Sequence, residues 1–358
     1  MIIAIQLIAG FLCLAAGSEW LVRGASKLAV VIGISPLVIG LTVVAFGTSS
    51  PELAVNVQAA YLGSSDMAIG NVVGSNIFNV LLVLGLSALV NPLVVSSRLV
   101  RLDVPLMIGV SVLMYALSLN GAISRLEGGL LFALVVIYTI FLIWQSRREN
   151  HAARELKSRA PIRPASWFRD VIWIAAGLVL LVMGSRWLVE GAVALAHILG
   201  ISELVIGLTI VSIGTSLPEL ATSVMATLKG ERDIAIGNVV GSNIFNILSV
   251  LGLSSAVAPA GIDVSPAALH FDIPVMVAVA IACLPVFFTG LEIRRWEGFL
   301  FLAYYAAYTA YLIMDSMRHD ALPMFSQVMG SIVMPLTAVV LLSLLLRHIL
   351  RKRKRQRP

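Results

Sequence analysis

Residues 33–54 read GISPLVIGLTVVAFGTSSPELA, and residues 200–221 read GISELVIGLTIVSIGTSLPELA. Farther along, AIGNVVGSNIFNVLLVLGL at 68–86 returns as AIGNVVGSNIFNILSVLGL at 235–253. The two blocks align without a gap at a constant offset of 167, with 38 identities in 54 positions. The offset reaches back to Gly17, Trp20 and Gly24, opposite Gly184, Trp187 and Gly191. Toward the C-terminus it slips to 169 and 170, where Asp103 and Pro105 match Asp272 and Pro274, and Glu127-Gly128 matches Glu297-Gly298. Residues 103–120 keep only 4 identities in 18 with 272–289, so one duplication has drifted to two degrees and something beyond age holds the matched helices.

The repeat is written in apolar sequence. Of 358 residues 59% are hydrophobic and 12% charged, with mean hydropathy +0.97, whereas soluble domains carry about 25% charged residues. This excludes a soluble globular enzyme, a disordered chain and a secreted disulfide scaffold, and predicts an all-α polytopic membrane protein. Cys13 and Cys283 fall inside apolar runs, so no disulfide framework is expected. No basic residue precedes the first apolar stretch, which argues against a cleavable signal peptide. Runs of about 20 apolar residues predict eleven spans, at 2–30, 33–60, 66–90, 102–120, 126–145, 169–198, 201–228, 233–257, 270–289, 297–315 and 327–347.

Each copy of the repeat holds five of these spans. Five is odd, so the second copy enters the membrane from the opposite face: an inverted repeat, the arrangement that puts transporter substrate sites at the midplane between halves. The chain divides into a first repeat (1–145), a basic cytoplasmic loop (146–168), the inverted second repeat (169–315) and an extra helix with a basic tail (316–358). With the N-terminus outside, 22 of the 25 Lys and Arg residues fall on the cytoplasmic side, leaving Arg125, Arg186 and Arg318 on the other; the positive-inside rule therefore selects N-out, C-in. The net charge of +6 sits largely in the loop and in the tail RHILRKRKRQRP, which reads as an anchor at an anionic leaflet rather than a nucleic-acid contact, because no reading module precedes it.

Both repeats carry the same chemistry. Pro51 and Pro218 cannot donate to the carbonyls of Gly47 and Gly214 four residues back, and in hydrocarbon an orphaned carbonyl costs several kcal/mol unless a cation, a water or a neighbouring hydroxyl satisfies it. Glu52 and Glu219 follow directly, mid-span, where a carboxylate costs about 2.5–3.5 kcal/mol and commonly marks an ion pathway. Ser75 with Asn79, and Ser242 with Asn246, are four apart and share a helix face. Together Thr48, Ser49, Glu52, Ser75 and Asn79 with Thr215, Ser216, Glu219, Ser242 and Asn246 offer ten oxygen-bearing side chains and no imidazole or thiolate, a set for hard cations such as Ca²⁺, which takes roughly six to eight oxygens at about 2.3–2.6 Å. Na⁺ is equally oxygen-seeking, and two carboxylates balance one Ca²⁺ or two Na⁺. Gly70, Gly74, Gly237 and Gly241 form G-x-x-x-G pairs, read as helix-packing positions. Glu19/Arg23 and Arg186/Glu190 are spaced for intrahelical ion pairs; for Asn71 and Asn238 the sequence leaves packing and support of the site both open.

The duplicated G-T-S-x-P-E and G-S-N-I-F-N elements resemble the repeats of the calcium/cation antiporter superfamily, in particular its sodium/calcium exchanger branch, over about residues 1–315. The resemblance implies a bacterial-type, inner-membrane member with a ten-helix inverted-repeat core and alternating access. It further implies cation sites at the ten positions above, joined by backbone carbonyls near Ala45 and Ser212. It implies Ca²⁺ and Na⁺ as transported ligands and no cofactor. Some relatives carry Asp where this chain has Asn246. Proton-coupled exchange, or Mn²⁺ or Mg²⁺ as cargo, is the alternative on the same fold. A passive channel is a further alternative. An intramembrane enzyme is disfavoured: there is no H-E-x-x-H, His151, His197, His270, His319 and His348 form no helical pair, and no P-loop exists to drive an ATP-powered pump.

Overall fold

The computed structural model describes residues 2–156, 167–200, 206, 210 and 212–343. The first repeat contains α1 (Ile2–Ile32), α2 (Pro36–Thr48), α3 (Ser50–Tyr61), α4 (Ser65–Val90), the short strand β1 (Leu93–Val94), α5 (Leu99–Ser118), β2 (Ala122–Ile123) and α6 (Arg125–Leu156). The second contains α7 (Trp167–Ile198), α8 (Ser212–Gly214), α9 (Leu217–Leu228), α10 (Arg232–Val257), β3 (Ile262–Asp263), α11 (Ala268–Phe288), β4 (Glu292–Ile293) and α12 (Arg295–Ser316), and α13 (Leu322–Ser343) follows. Eight of these helices are long and apolar enough to cross a membrane, and α2 with α3 makes a ninth span bent by 46°. Two predicted spans fall outside that count. Most of 201–211 lies outside the described residues, and α12, with 22 residues and a length of about 33 Å, is diluted by Tyr304, Tyr305, Tyr308 and Tyr311.

Two boundaries differ from the sequence reading. Helix α6 runs to Leu156, eleven residues past the predicted span end at 145, because RRENHAAREL is rich in good helix formers and needs no apolar face once clear of lipid. The rest of the predicted cytoplasmic loop, 157–166, and the basic tail, 344–358, lie outside the described residues. The extra helix starts earlier, at Leu322 with Pro323 in its first turn, and Tyr304 of α12 ties it in by donating to the Thr337 hydroxyl at 2.7 Å.

The inversion is visible in two ways. First, α1 and α7 pack antiparallel along their whole length, with Gly10 against Gly184 and Leu188, Gly17 against Gly177 and Leu181, and Gly24 against Asp170 and Ile174. Glycines recur every seven residues on both helices, so the two backbones touch with no side chain between them. Second, β1 pairs with β4 and β2 with β3, both antiparallel. Each ribbon takes one strand from each repeat, and since a single span separates β1 from β2, the ribbons clasp the halves on opposite faces. Gly237 and Gly241 pack on Leu37 and Leu41 as the small-residue reading expects; for Gly70 and Gly74 the segment that the repeat would place opposite, 201–211, lies mostly outside the described residues.

The halves are not equal in their charged contacts. Arg186 and Glu190 form the expected pair at 2.9 Å, but Glu19 instead pairs with Lys229 at 2.7 Å, because α1 lies along α9 and brings the end of that helix within reach. Beside it Ser26 donates to Glu231 at 2.8 Å. At the symmetry-related positions, Leu62 and Ser64 replace Lys229 and Glu231, and α7 lies against α3 at most marginally.

Candidate functional site

The predicted breaks form where proline dictates. Helix α2 ends at Thr48, Ser49 leaves helical geometry (φ −81°, ψ 5°), and α3 starts with Pro51 in its first turn. In the second repeat Thr215 and Ser216 turn between α8 and α9, with Ser216 at φ −94°, ψ 7° and Pro218 in the first turn. Glu52 and Glu219 thereby stand in the first turn of a helix, where the positive end of the helix dipole favours an anion. The facing helices α4 and α10 loosen to π turns that begin at Asn79 and Asn246, a local unwinding often found at functional sites.

Glu52, Ser75, Asn79, Thr48, Ser49, Ser216, Glu219, Ser242 and Asn246 are all buried, and Thr215 is partly so. The two halves cross-link through them. Ser49 donates to Glu219 Oε1 at 3.0 Å, and Ser216 donates to Glu52 Oε1 at 3.0 Å, each serine serving the carboxylate of the other repeat. The Ser216 hydroxyl also lies 2.9 Å from that of Ser75, and Thr48 Oγ1 lies 3.5 Å from Ser242 Oγ. Among the described residues, Glu52 Oε2, Glu219 Oε2, Asn246 Oδ1 and both amide atoms of Asn79 are buried with no hydrogen-bond partner. Unpaired buried polar atoms are costly, and the free oxygens among them, one each on Glu52, Glu219, Asn79 and Asn246, are of the kind a bound cation would satisfy. No group of three or more His, Cys, Asp or Glu forms among the described residues; the donors are hydroxyls, amides and two acids.

The two expected carbonyl ligands divide. Ala45 O accepts the Ser49 N–H at 3.0 Å and lies 3.3 Å from Thr48 Oγ1, so it borders the cluster. Ser212 opens the three-residue helix α8; its side chain lies outside the described residues. The carbonyl freed at Gly214 by Pro218 is satisfied by the Ser185 hydroxyl of α7, a neighbouring hydroxyl rather than an ion. The equivalent Ser18 instead bonds back to Ala15 O at 3.0 Å.

Several contributors were not among the ten positions. Asn71 accepts from Thr215 at 3.2 Å and Asn238 from Thr48 at 3.1 Å, which makes both of them supports of the site. Asn246 donates to Asn76 Oδ1 at 3.2 Å, and Asn76 donates to Asn243 O at 3.4 Å. The missed signal was present: Thr48, Glu52 and Asn56, like Asn71, Ser75 and Asn79, recur at four-residue steps, and Thr215, Glu219 and Ser223 and Asn238, Ser242 and Asn246 repeat the stripes.

The profile of the family described as "Sodium/calcium exchanger protein" matches residues 2–144 and 170–314. The chain is 41% identical over 281 residues to "Inner membrane protein YrbG" of Escherichia coli, covering 77% of this chain and 85% of that protein. It is 35% identical over 345 residues to "Sodium/calcium exchanger MaX1" of Methanosarcina acetivorans, covering 86% and 97%. A solved structure of the sodium-calcium exchanger NCX_Mj, soaked with zero Na⁺ and Ca²⁺, superposes with a TM-score of 0.75 at 31% identity, covering 87% of this chain and 99% of that one.

Proposed function

The chain belongs to the sodium/calcium exchanger protein family, and from that premise we propose that it is a secondary antiporter moving Ca²⁺ against Na⁺ by alternating access at the buried cluster between its halves. The observation that carries this is the pair of acids, Glu52 and Glu219, each with one oxygen unpaired and each held by a serine of the opposite repeat. Thr48, Ser49, Ser75, Asn79, Thr215, Ser216, Ser242 and Asn246, with the carbonyls of Ala45 and Ser212, complete the ligand set in this reading. Two negative charges take up one Ca²⁺ or two Na⁺, so the ions compete for the same oxygens.

Proteoliposomes loaded with Na⁺ and diluted into Na⁺-free buffer containing ⁴⁵Ca²⁺ should accumulate the label, and collapse of the Na⁺ gradient should stop accumulation. Uptake that follows a pH gradient and ignores Na⁺ would replace this reading with proton-coupled exchange, and downhill-only flux would replace it with a channel.

The charge distribution supports N-out, C-in, with the 229–231 turn, β1 and β4 on the cytoplasmic side. In that orientation, the packing of α1 along α9 together with the marginal contact of α7 with α3 supports an outward-facing state closed on the cytoplasmic side. With Cys13 and Cys283 replaced by Ala, Asn120→Cys should react with an impermeant maleimide added outside intact cells and Ser97→Cys should not; the reverse pattern would invert the topology.

A further inference from the structure

Resting on the antiport reading, we propose that Asn71 and Asn238 are positioning residues that take the hydroxyl protons of Thr215 and Thr48 out of the ion site, so that the threonine oxygens face the cations as ligands. A threonine hydroxyl has one proton and two lone pairs. It serves a cation only if the proton is directed elsewhere.

The direction is fixed from outside the site. In the first repeat, the Ala68 carbonyl can only accept, and Asn56 Nδ2 donates to it at 3.0 Å. That leaves Asn56 Oδ1 toward Asn71, whose Nδ2 donates at 2.6 Å. Asn71 Oδ1 is then turned to Thr215, 3.2 Å away, and the threonine must be the donor. In the second repeat, Ser223 donates to the Ala235 carbonyl at 3.4 Å, and Asn238 Nδ2 donates to Ser223 Oγ at 2.9 Å and to the Glu219 carbonyl at 3.3 Å. Asn238 Oδ1 is therefore the acceptor for Thr48 at 3.1 Å. Ala68 and Ala235 are the same position of the repeat, as are Asn56 and Ser223, so the polarity of the chain is kept although one link has changed from amide to hydroxyl. Asn56, Ser223 and Asn238 are fully buried, and no water can substitute without a cavity.

The consequence at Thr48 is twofold. Its alternative acceptors are the Ala45 carbonyl at 3.3 Å and the Glu219 carboxylate, both proposed ligands. With Asn238 in place the proton is drawn away from them; without it, the hydroxyl turns inward and withdraws its own oxygen and one of theirs from the ions at once.

The test is equilibrium ⁴⁵Ca²⁺ binding to the purified full-length protein, with Na⁺ as competitor, in a double-mutant cycle. Asn238→Ala should weaken Ca²⁺ binding roughly tenfold, the scale of one hydrogen bond. In a Thr48→Val background the same change should cost less than about twofold, because no proton remains to be directed. Wild-type affinity in Asn238→Ala, or an equal loss in both backgrounds, would overturn the assignment and leave the antiport reading standing. A wild-type protein whose Ca²⁺ is not displaced by Na⁺ would overturn the antiport reading and this inference with it. The Asn71→Ala, Thr215→Val cycle runs the same comparison through the other repeat and decides the matter if Asn238→Ala does not fold.

Discussion

Glu52→Gln and Glu219→Gln should each lower Na⁺-driven ⁴⁵Ca²⁺ uptake at least about a hundredfold while leaving a folded protein. Glutamine has the shape of glutamate and keeps an oxygen for the Ser216 hydroxyl, which now donates to Glu52 Oε1 at 3.0 Å, or for Ser49, which donates to Glu219 Oε1 at 3.0 Å. What it removes is one of the two negative charges facing a divalent ion in a setting of low dielectric, where charge interactions run to several kcal/mol. The ion-free fold should gain, because burying a carboxylate in a span costs about 2.5–3.5 kcal/mol and a neutral amide costs less. The check is therefore paired: uptake in proteoliposomes and melting in detergent with and without Ca²⁺. Loss of uptake, loss of the Ca²⁺-induced thermal shift and an unchanged or higher ion-free midpoint are expected together. Uptake retained in both variants would remove the acids from the mechanism.

The second large effect falls where no ion binds. Gly177→Val should cut the yield of monodisperse protein and lower its melting midpoint by roughly 5 °C or more. A Cβ at that position would sit 2.7 Å from both the Gly17 carbonyl oxygen and the Leu21 nitrogen. Neither neighbour is a side chain that can swing away, so α1 and α7 must part along their seam, and overpacking of this kind costs about 1–3 kcal/mol, occasionally more. Gly17→Val, with its Cβ 2.8 Å from the Gly177 carbonyl, should behave alike. Gly109→Ala is the control: its Cβ meets nothing within 4 Å among the described residues, and on an exposed helical face the change should be neutral or slightly stabilising. Similar melting of all three variants would show that the seam tolerates separation.

The architecture was readable because duplication converts a counting argument into topology: five spans per copy force inversion whatever their packing. The bend at Ser49 was equally readable, since Pro51 removes a specific hydrogen bond. The two-residue strands were not, because LV, AI, ID and EI carry no local signal and exist only where the opposite repeat supplies the other strand. Within the site, spacing along one helix identified Ser75 with Asn79 and Ser242 with Asn246. The same four-residue stripes run back to Asn71 and Asn238, but whether those two support the site or only pack depends on what faces them across the helix interface. Glu19 follows the same logic: Arg23 is near in sequence, but Lys229 is near in space.

The tie of Glu19 to Lys229 and of Ser26 to Glu231 bears on how such a machine chooses its ground state. Two halves of identical sequence, exchanged by a two-fold rotation, would make the conformers open to either compartment degenerate. Turning this molecule over puts Arg186 against Leu62 and Val193 against Ser64, and neither pair restores the contacts given up. In the proposed exchanger, a preference for one compartment would thus be encoded where the copies disagree and the ion chemistry where they match, so selection could retune the one without disturbing the other.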